Sequence, residues 1–294
     1  MRRRPSLAGR QALWAWAFLA VPLVFYTAVR FWPAAQAVYL SFHSWNLLGP
    51  QLFVGWANYA RLLHDPVFWA ALRNSLLYVA LGLPVSLLLS FLVAYHLDRV
   101  RFGHGLLRAL YFLPHLTTAA AMAWVWKWFY QPLPTGLFNL LLSEAGLPPQ
   151  PFLRSTAQAL PAALVPAIWA LLGFQIVIFL AGLKAVPGVY YEAAAIDGAG
   201  AWRVLTDITL PLLRPTIVFL VVVSSIAFLR IFDHVYNLTN GDGGPLDSTK
   251  PLVLSIYKSA FGQFEMGYAA AQTVVLFVLL LVLSLLQLRA LRSA

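Results

Sequence analysis

Residues 192–211 read EAAAIDGAGAWRVLTDITLP, a polar, Ala- and Gly-rich stretch between two long apolar runs. Ala193, Ala194 and Ala195 favour helix, and Glu192 is expected near the start of that helix, where a carboxylate complements the dipole. Gly198 then allows either a turn with φ > 0 or a close backbone approach. A second helix follows and stops at Leu210-Pro211; Pro211 and Pro215 end one helix and suit the start of the next. The stretch therefore predicts a short helical hairpin, with Asp197 and Gly198 at its turn. A hairpin held at a membrane surface is a shape suited to pressing on a partner.

The surroundings place this hairpin in a membrane protein. The chain of 294 residues is 61% hydrophobic and only 10% charged, against about a quarter charged in soluble domains. Backbone groups in lipid must be satisfied internally, so helices or a closed barrel are the available forms. The apolar runs exceed the ~10 residues of barrel strands, so the fold class is all-α, a polytopic membrane protein. Six candidate spans are long enough to cross: about 13–31, 75–97, 106–126, 157–183, 216–236 and 268–288. No boundary marks a second soluble domain, so residues 1–294 are expected to form a single transmembrane domain. The run 13–29 is longer than a signal-peptide core and is followed by Arg30, Phe31 and Trp32 rather than a cleavage site, so it reads as a retained span. Cysteine is absent, which excludes disulfides, thiolate chemistry and cysteine-bound metal. The six histidines show no HExxH or His-x3-His spacing, so no metal site is expected.

The net charge of +10 is a matter of placement rather than a nucleic-acid signal. One side of the membrane collects Arg2, Arg3, Arg4 and Arg10, then Arg99, Arg101 and Arg108, then Lys184, Arg203 and Arg214, then Arg289 and Arg292. By the positive-inside rule that side is cytoplasmic, with both termini and the 192–211 hairpin on it. Segments 41–73, 130–156 and 237–267 then face outward; the second is Pro-rich and the third opens on LTNGDGGP, a turn cluster.

The spacing of the hairpin, with EAA, then Gly198, then Ile208 and Leu210-Pro211, resembles the signature of binding-protein-dependent ABC importer permeases. Other stretches resemble the carbohydrate branch of that family, which includes maltose and glycerol-3-phosphate permeases. These are VGWANYARLLHDPVFWAALRNSLLY from Val54, LYFLPHLTTAAAMAWVWKWFY from Leu110, IFDHVYNLTNGDGGP from Ile231, and AFGQFEMGYAAAQTVV from Ala260. The similarity runs from about Phe53 to Leu288. Leu205 stands where the family usually has Phe, and Asp242 is an extra residue between LTNG and GGP.

The resemblance implies a MetI-like permease fold in the bacterial inner (cytoplasmic) membrane. Its core would cover about 70–290, and its 184–215 loop would serve as a coupling helix. It implies four kinds of partner: a second homologous permease, two ATPase subunits, a periplasmic or lipid-anchored solute-binding protein, and membrane lipid. Glu192, Ala193, Ala194, Asp197, Gly198, Leu210 and Pro211 would then couple to the ATPase, with Glu192 paired to an arginine there. This chain has no GxxxxGK[ST] and so no cofactor of its own; ATP and Mg would be held by the partner ATPase. The transported solute would be a sugar or sugar-like molecule, moved by alternating access.

The fifth span carries a charged and aromatic cluster: Ser225, Phe228, Arg230, Phe232, Asp233 and Tyr236. A charge at membrane depth costs a few kcal/mol and usually faces a cavity or a partner. On a continuous helix Arg230 and Asp233 share a face and can pair, while Ser225, Phe228, Phe232 and Tyr236 form a stripe. The cluster reads either as a structural ion pair near the interface or as a wall of the solute path. Gln175 and Gly173 in the fourth span are further path candidates, with a helix-packing role as the alternative. Trp124, Trp126 and Trp128 read as an aromatic belt, and His115 as a helix-packing residue.

Two readings from other classes compete. An ion-coupled secondary transporter would show inverted repeats and midplane breaks, which are not evident. An intramembrane aspartyl hydrolase is suggested by GD at 241–242, but Thr239 stands where its motif needs glycine. The charge distribution makes a direct prediction about orientation. In this cysteine-free chain, a cysteine at Ser248 should react with a membrane-impermeant thiol reagent from outside; reaction only after the inner face is opened would refute the orientation.

Overall fold

The apolar runs do fold as helices, but several break where the sequence suggested continuity. In a computed structural model, residues 7–100 and 103–293 are described; Arg2, Arg3, Arg4, Arg101 and Ala294 lie outside them. The helices are, in order, α1 (Leu7–Tyr26), α2 (Trp32–Leu40), α3 (Ala57–His64), α4 (Pro66–Leu97), α5 (His104–Leu116), α6 (Ala119–Phe129), α7 (Leu137–Glu144), α8 (Ala159–Ala185), α9 (Gly188–Ile196), α10 (Ala201–Arg203), α11 (Leu210–Leu212), α12 (Arg214–Leu229), α13 (Asp233–Leu238), α14 (Leu252–Tyr257) and α15 (Met266–Ser293). Among the described residues, those up to 64 with 256–275 form one compact unit, and those of 65–255 with the ones from 276 on form another.

In the first unit, α1 and α2 join through a π-helical turn at Thr27–Phe31 into one apolar run, Gln11–Leu40. Its side chains are exposed, as expected of a helix solvated by lipid. A hairpin of two-residue strands, β1 (His43–Ser44) against β2 (Leu52–Phe53), follows, with His43 opposite Phe53. Asn58 on α3 donates to the carbonyls of Ser41 (2.8 Å) and His43 (3.0 Å), tying α3 to this hairpin. Arg61 pairs with Glu265 at 2.9 Å and lies 4.1 Å from the Tyr268 ring centre.

The second unit is built on α4 and α8. Asp65 caps α4 by accepting from the Val67 N–H at 2.8 Å, and Pro66 suits the first turn. Residues 66–74 and the expected second span are thus one helix of 32 residues, about 48 Å long and so longer than the ~30 Å hydrocarbon core. The fourth and sixth expected spans are likewise single helices, α8 and α15. Two buried apolar groups hold the unit. Tyr78, Leu164, Ile168, Phe228 and Val235 belong to one, and Leu97, Ile176, Phe179, Leu213 and Leu220 to the other. At Gly173 of α8 an added Cβ would sit 2.6 Å from the Tyr111 carbonyl oxygen, so the glycine lets α5 pack directly on α8.

Two expected spans differ from the sequence reading. The stretch 106–126 is not one helix: α5 and α6 are separated at Thr117-Thr118, where both residues are extended and Thr118 caps α6 by accepting from Ala121 N–H at 3.3 Å. With 13 and 11 residues, neither is long enough to cross a ~30 Å core by itself. The expected fifth span, 216–236, is broken once: α12 ends at Leu229, leaving Arg230–Phe232 non-helical before α13. A bend of 65°, where α11 meets α12, precedes it. Among the described residues, four helices are long and apolar enough to span, or five if the bent pair counts as one, against six expected.

The loop after α13 returns to α4 through buried hydrogen bonds. Asn74 donates to the carbonyls of Asp247 (2.9 Å) and Lys250 (3.1 Å), Tyr78 donates to that of Thr249 (3.0 Å), and Ser75 Oγ accepts from Leu252 N–H (2.7 Å). These three side chains share one helix face and satisfy backbone groups that have no water to turn to. Asn74→Leu should therefore lower stability by about 1–3 kcal/mol, the cost of leaving buried acceptors unmade. Leu76→Ala, at an exposed position of the same helix, should change stability less. Equal thermal midpoints for wild type and Asn74→Leu would contradict this account.

Candidate functional site

The hairpin forms as expected, with a different start. α9 begins at Gly188 with Pro187 before it, so Glu192 is its fifth residue and lies outside the first turn, which holds no acidic residue. The expected dipole role of Glu192 is therefore not realised, because the helix extends one turn further upstream than the EAA triplet. Its end is a complete Schellman motif: Gly198 N–H donates to Ala195 O (3.2 Å) and Ala199 N–H to Ala194 O (2.9 Å). Gly198 sits at φ +69°, and nothing lies within 4 Å of where a Cβ would be. Of the two sequence readings of Gly198, left-handed backbone is the one that applies.

Alternate faces of α9 behave differently. Ala194 is buried, and Tyr191 reaches Thr209 Oγ1 at 3.4 Å, which joins the two arms of the hairpin. Val189, Glu192, Ala193 and Ile196 recur at three- and four-residue spacing along the solvent face. Ile196 is 86% exposed and Trp202, beyond the turn, is 75% exposed. The second arm passes from α10 into a π-helical segment, Val204–Thr209, where Thr209 Oγ1 donates to Val204 O at 3.1 Å. Asp197 and Pro211 are exposed and Leu210 is half-buried. Val189, Tyr190, Ile196 and Trp202 were not singled out in the sequence, although an apolar side chain in a charged, polar loop is the signal that would have found them.

The second candidate region is a cavity of about 300 Å³ at the break after α12, lined by His115, Thr117, Ala170, Phe228, Arg230, Phe232, Asp233 and His234 among others. It brings together four of the residues expected along the solute path. They meet because the backbone breaks. Phe232 has φ −143° and ψ −64°, so the helical stripe drawn through Phe228, Phe232 and Tyr236 does not exist as such. Arg230 and Asp233 are both exposed, and no ion pair forms between them. Phe228 is buried, against the backbone of Gly82, where an added Cβ would lie 2.6 Å from its ring. Phe232 is half-buried and its ring centre is 5.3 Å from that of Tyr236.

The remaining expected path residues lie elsewhere. Gln175 is fully buried and donates to Ser86 Oγ (3.2 Å) and Ser224 Oγ (2.9 Å), joining α8 to α4 and α12. Ser225 accepts from Gln287 Nε2 of α15 at 2.7 Å. Tyr236 packs over Gly241, outside the cavity lining. His115 does both things: Nδ1 is 3.0 Å from Ala170 O, its ring stacks on Phe174, and it also lines the cavity. His115 and Thr117 were missed as cavity residues because the break at Thr117-Thr118 was read through, and His234 because the break at Arg230–Phe232 was.

Comparison with known proteins decides what this arrangement is. Residues 74–292 match the family described as binding-protein-dependent transport system inner membrane component. The chain belongs to that family. It is a permease, a transport subunit rather than an enzyme, and an inner-membrane component. A probable ABC transporter permease protein of Pyrococcus horikoshii is 35% identical over 97% of this chain and 96% of its own. The lactose transport system permease protein of Rhizobium radiobacter is 31% identical over 99% and 98%. The fold is shared with a bacterial ABC transporter involved in the import of the acidic polysaccharide alginate, with TM-score 0.84 and 23% identity over 97% of this permease and 96% of that chain. Membership leaves no support for a secondary transporter or an intramembrane hydrolase.

The geometry of the permease hairpin separates two substitutions that a space-based argument would treat alike. Gly198→Asn should retain uptake to within about twofold, because Asn tolerates left-handed backbone. Gly198→Val should lose about tenfold or more, through a backbone cost of ~1–2 kcal/mol or above for a β-branched residue. Equal uptake by the two variants would show that the left-handed turn is not what the position requires.

Proposed function

We propose that this permease moves a carbohydrate inward by alternating access, driven by two ATPase subunits, one of which seats on the 188–212 hairpin, with a second homologous permease completing the pore. The observation that carries the reading is the exposed stripe Val189–Glu192–Ile196 with Trp202, on a hairpin whose second arm leads across a 65° bend into α12. α12 ends at the cavity, so a push on the hairpin has a continuous helix through which to reach the cavity wall. Glu192 makes no ion pair within this chain among the described residues, which suits a role for it toward an arginine of the ATPase. Asp197, Gly198, Leu210 and Pro211 shape the hairpin, and Ala193 and Ala194 keep its first arm compact.

The carbohydrate assignment rests on the lactose permease relative and on the cavity chemistry. Aromatic rings stack on sugar faces, and Phe232, Arg230, Asp233 and His115 supply a ring edge and polar atoms around one space. In this reading Phe228 is a packing residue and Phe232 a contact residue; Gln175 and Ser225 hold helices. α5 and α6 form one broken crossing between them, which brings the crossings to six, with both termini and the hairpin cytoplasmic. A solute-binding protein delivers the solute from outside.

One experiment tests both halves in the purified transporter with its partners. Glu192→Ala, Ile196→Asp and Trp202→Ala should each weaken ATPase association, with about 2 kcal/mol or more expected for an interface anchor, roughly 30-fold. Phe232→Ala should instead leave association intact and change the concentration dependence of sugar uptake. Wild-type association in all three hairpin variants would overturn the docking assignment. Unchanged sugar dependence in Phe232→Ala would remove Phe232 from the path.

A further inference from the structure

α8 is 27 residues long, about 40 Å at 1.5 Å per residue. The hairpin follows one of its ends; by the other lies a second pocket, of about 510 Å³. That volume falls within the ~300–1,000 Å³ of small-molecule sites. Its wall includes Lys127 from the last turn of α6, Arg154 from the short turn Phe152–Arg154, and Asn240 and Asp242 from the loop after α13. None of these residues lines the cavity at Phe228. Asp242 is also the residue by which the LTNGDGGP stretch departs from the pattern of the carbohydrate permeases.

The charges in this wall do not cancel. Lys127 Nζ donates to the neutral amide oxygen of Asn240 at 2.5 Å and lies 4.7 Å from the Trp124 ring centre. Neither contact carries a full negative charge. Arg154 is exposed and forms no ion pair among the described residues. Asp242 is the single carboxylate lining the pocket. Beside the two cations stand the buried ring of Tyr130 and the amide of Gln131. Burial pushes the Tyr130 hydroxyl well above its usual range, so it stays a neutral donor to Ala162 O at 2.9 Å.

We infer that this pocket is a second ligand site of the permease and takes an acidic sugar unit, its anionic group between Lys127 and Arg154 and its hydroxyls on Asn240 and Asp242. An inorganic anion would leave most of the volume empty. A neutral sugar would leave both cations unanswered. A sugar acid has the anion and the hydroxyl donors together, and Arg matches a carboxylate in two-point geometry. The inference rests on the carbohydrate reading above and adds an acidic class of solute to it.

The test uses Gln131→Cys as reporter, in the otherwise cysteine-free chain assembled with the second permease and the ATPase subunits in nanodiscs, without nucleotide or solute-binding protein. An anionic methanethiosulfonate carrying sulfonate should react faster than its trimethylammonium counterpart. The expected preference is about tenfold relative to the same pair at Leu48→Cys, an exposed reference. Tri-galacturonate at millimolar concentration should slow the labelling, whereas maltotriose and inorganic phosphate at equal ionic strength should not. Lys127→Gln with Arg154→Gln should abolish both the preference and the protection, and Lys127→Arg should restore them, which separates lost charge from lost folding. The inference is overturned by the absence of a sulfonate preference, or by equal protection from maltotriose or phosphate. Protection that appears only on adding the solute-binding protein would also overturn it, since the pocket would then be a protein contact. Because the assay needs no transport, its failure leaves the importer reading untouched, and the hairpin variants test that separately.

Discussion

One buried amide fixes the geometry on which the rest of this permease depends. Gln175 donates to Ser86 of α4 and Ser224 of α12, and in hydrocarbon such a group has no water to fall back on. Three helices are therefore held at a common point, and α12 cannot slide along α8 without stranding it. Small residues reinforce this by close approach rather than by polar contact, as at Gly82 beneath Phe228 and Gly173 beneath α5. With its middle pinned, α12 has two ends that matter. One bends into the hairpin, and the other breaks into the cavity.

Thr117-Thr118 and Arg230–Phe232 share a physical setting. At two breaks and one loop of this unit, irregular backbone occurs where something pairs with the freed groups or where they border a cavity. Thr118 caps α6 at the first break. At the second, Arg230–Phe232 lines the 300 Å³ cavity. The loop that follows α13 is tied to Asn74, Ser75 and Tyr78 of α4. The candidate path residues meet at this break: a straight helix would keep Phe228 and Phe232 on one face and turn Arg230 to the opposite one, whereas all three line the cavity.

Much of this was legible in the sequence. The length of apolar runs gave the helices, and the Gly198 turn with its flanking Ala and Leu-Pro gave the hairpin. Two things were not legible, each for a physical reason. Periodicity cannot report a break inside an apolar run, since both halves remain apolar; Thr117-Thr118 and Arg230–Phe232 were read through on that account, and the Phe–Phe–Tyr stripe with them. Nor can composition tell a polar residue that faces a cavity from one that glues helices. Gln175 and Ser225 bind neighbouring helices, while His115, set aside as packing, both packs and lines the cavity. The onset of α9 one turn before the EAA triplet is a smaller miss with the same origin, because Gly188 is a poor helix former and hid the true start.

The central claim is that pressure on the hairpin is felt at the cavity through α12. The direct measurement is the thiol reactivity of Asp233→Cys in the assembled transporter, with and without ATP bound to hydrolysis-deficient ATPase subunits. A change of about tenfold on nucleotide binding, the size of a coupling free energy of ~1.4 kcal/mol, is the result predicted, with no change when the hairpin turn is disrupted by Gly198→Val. Reactivity at Asp233→Cys that is indifferent to nucleotide while the ATPase subunits remain bound would contradict the account.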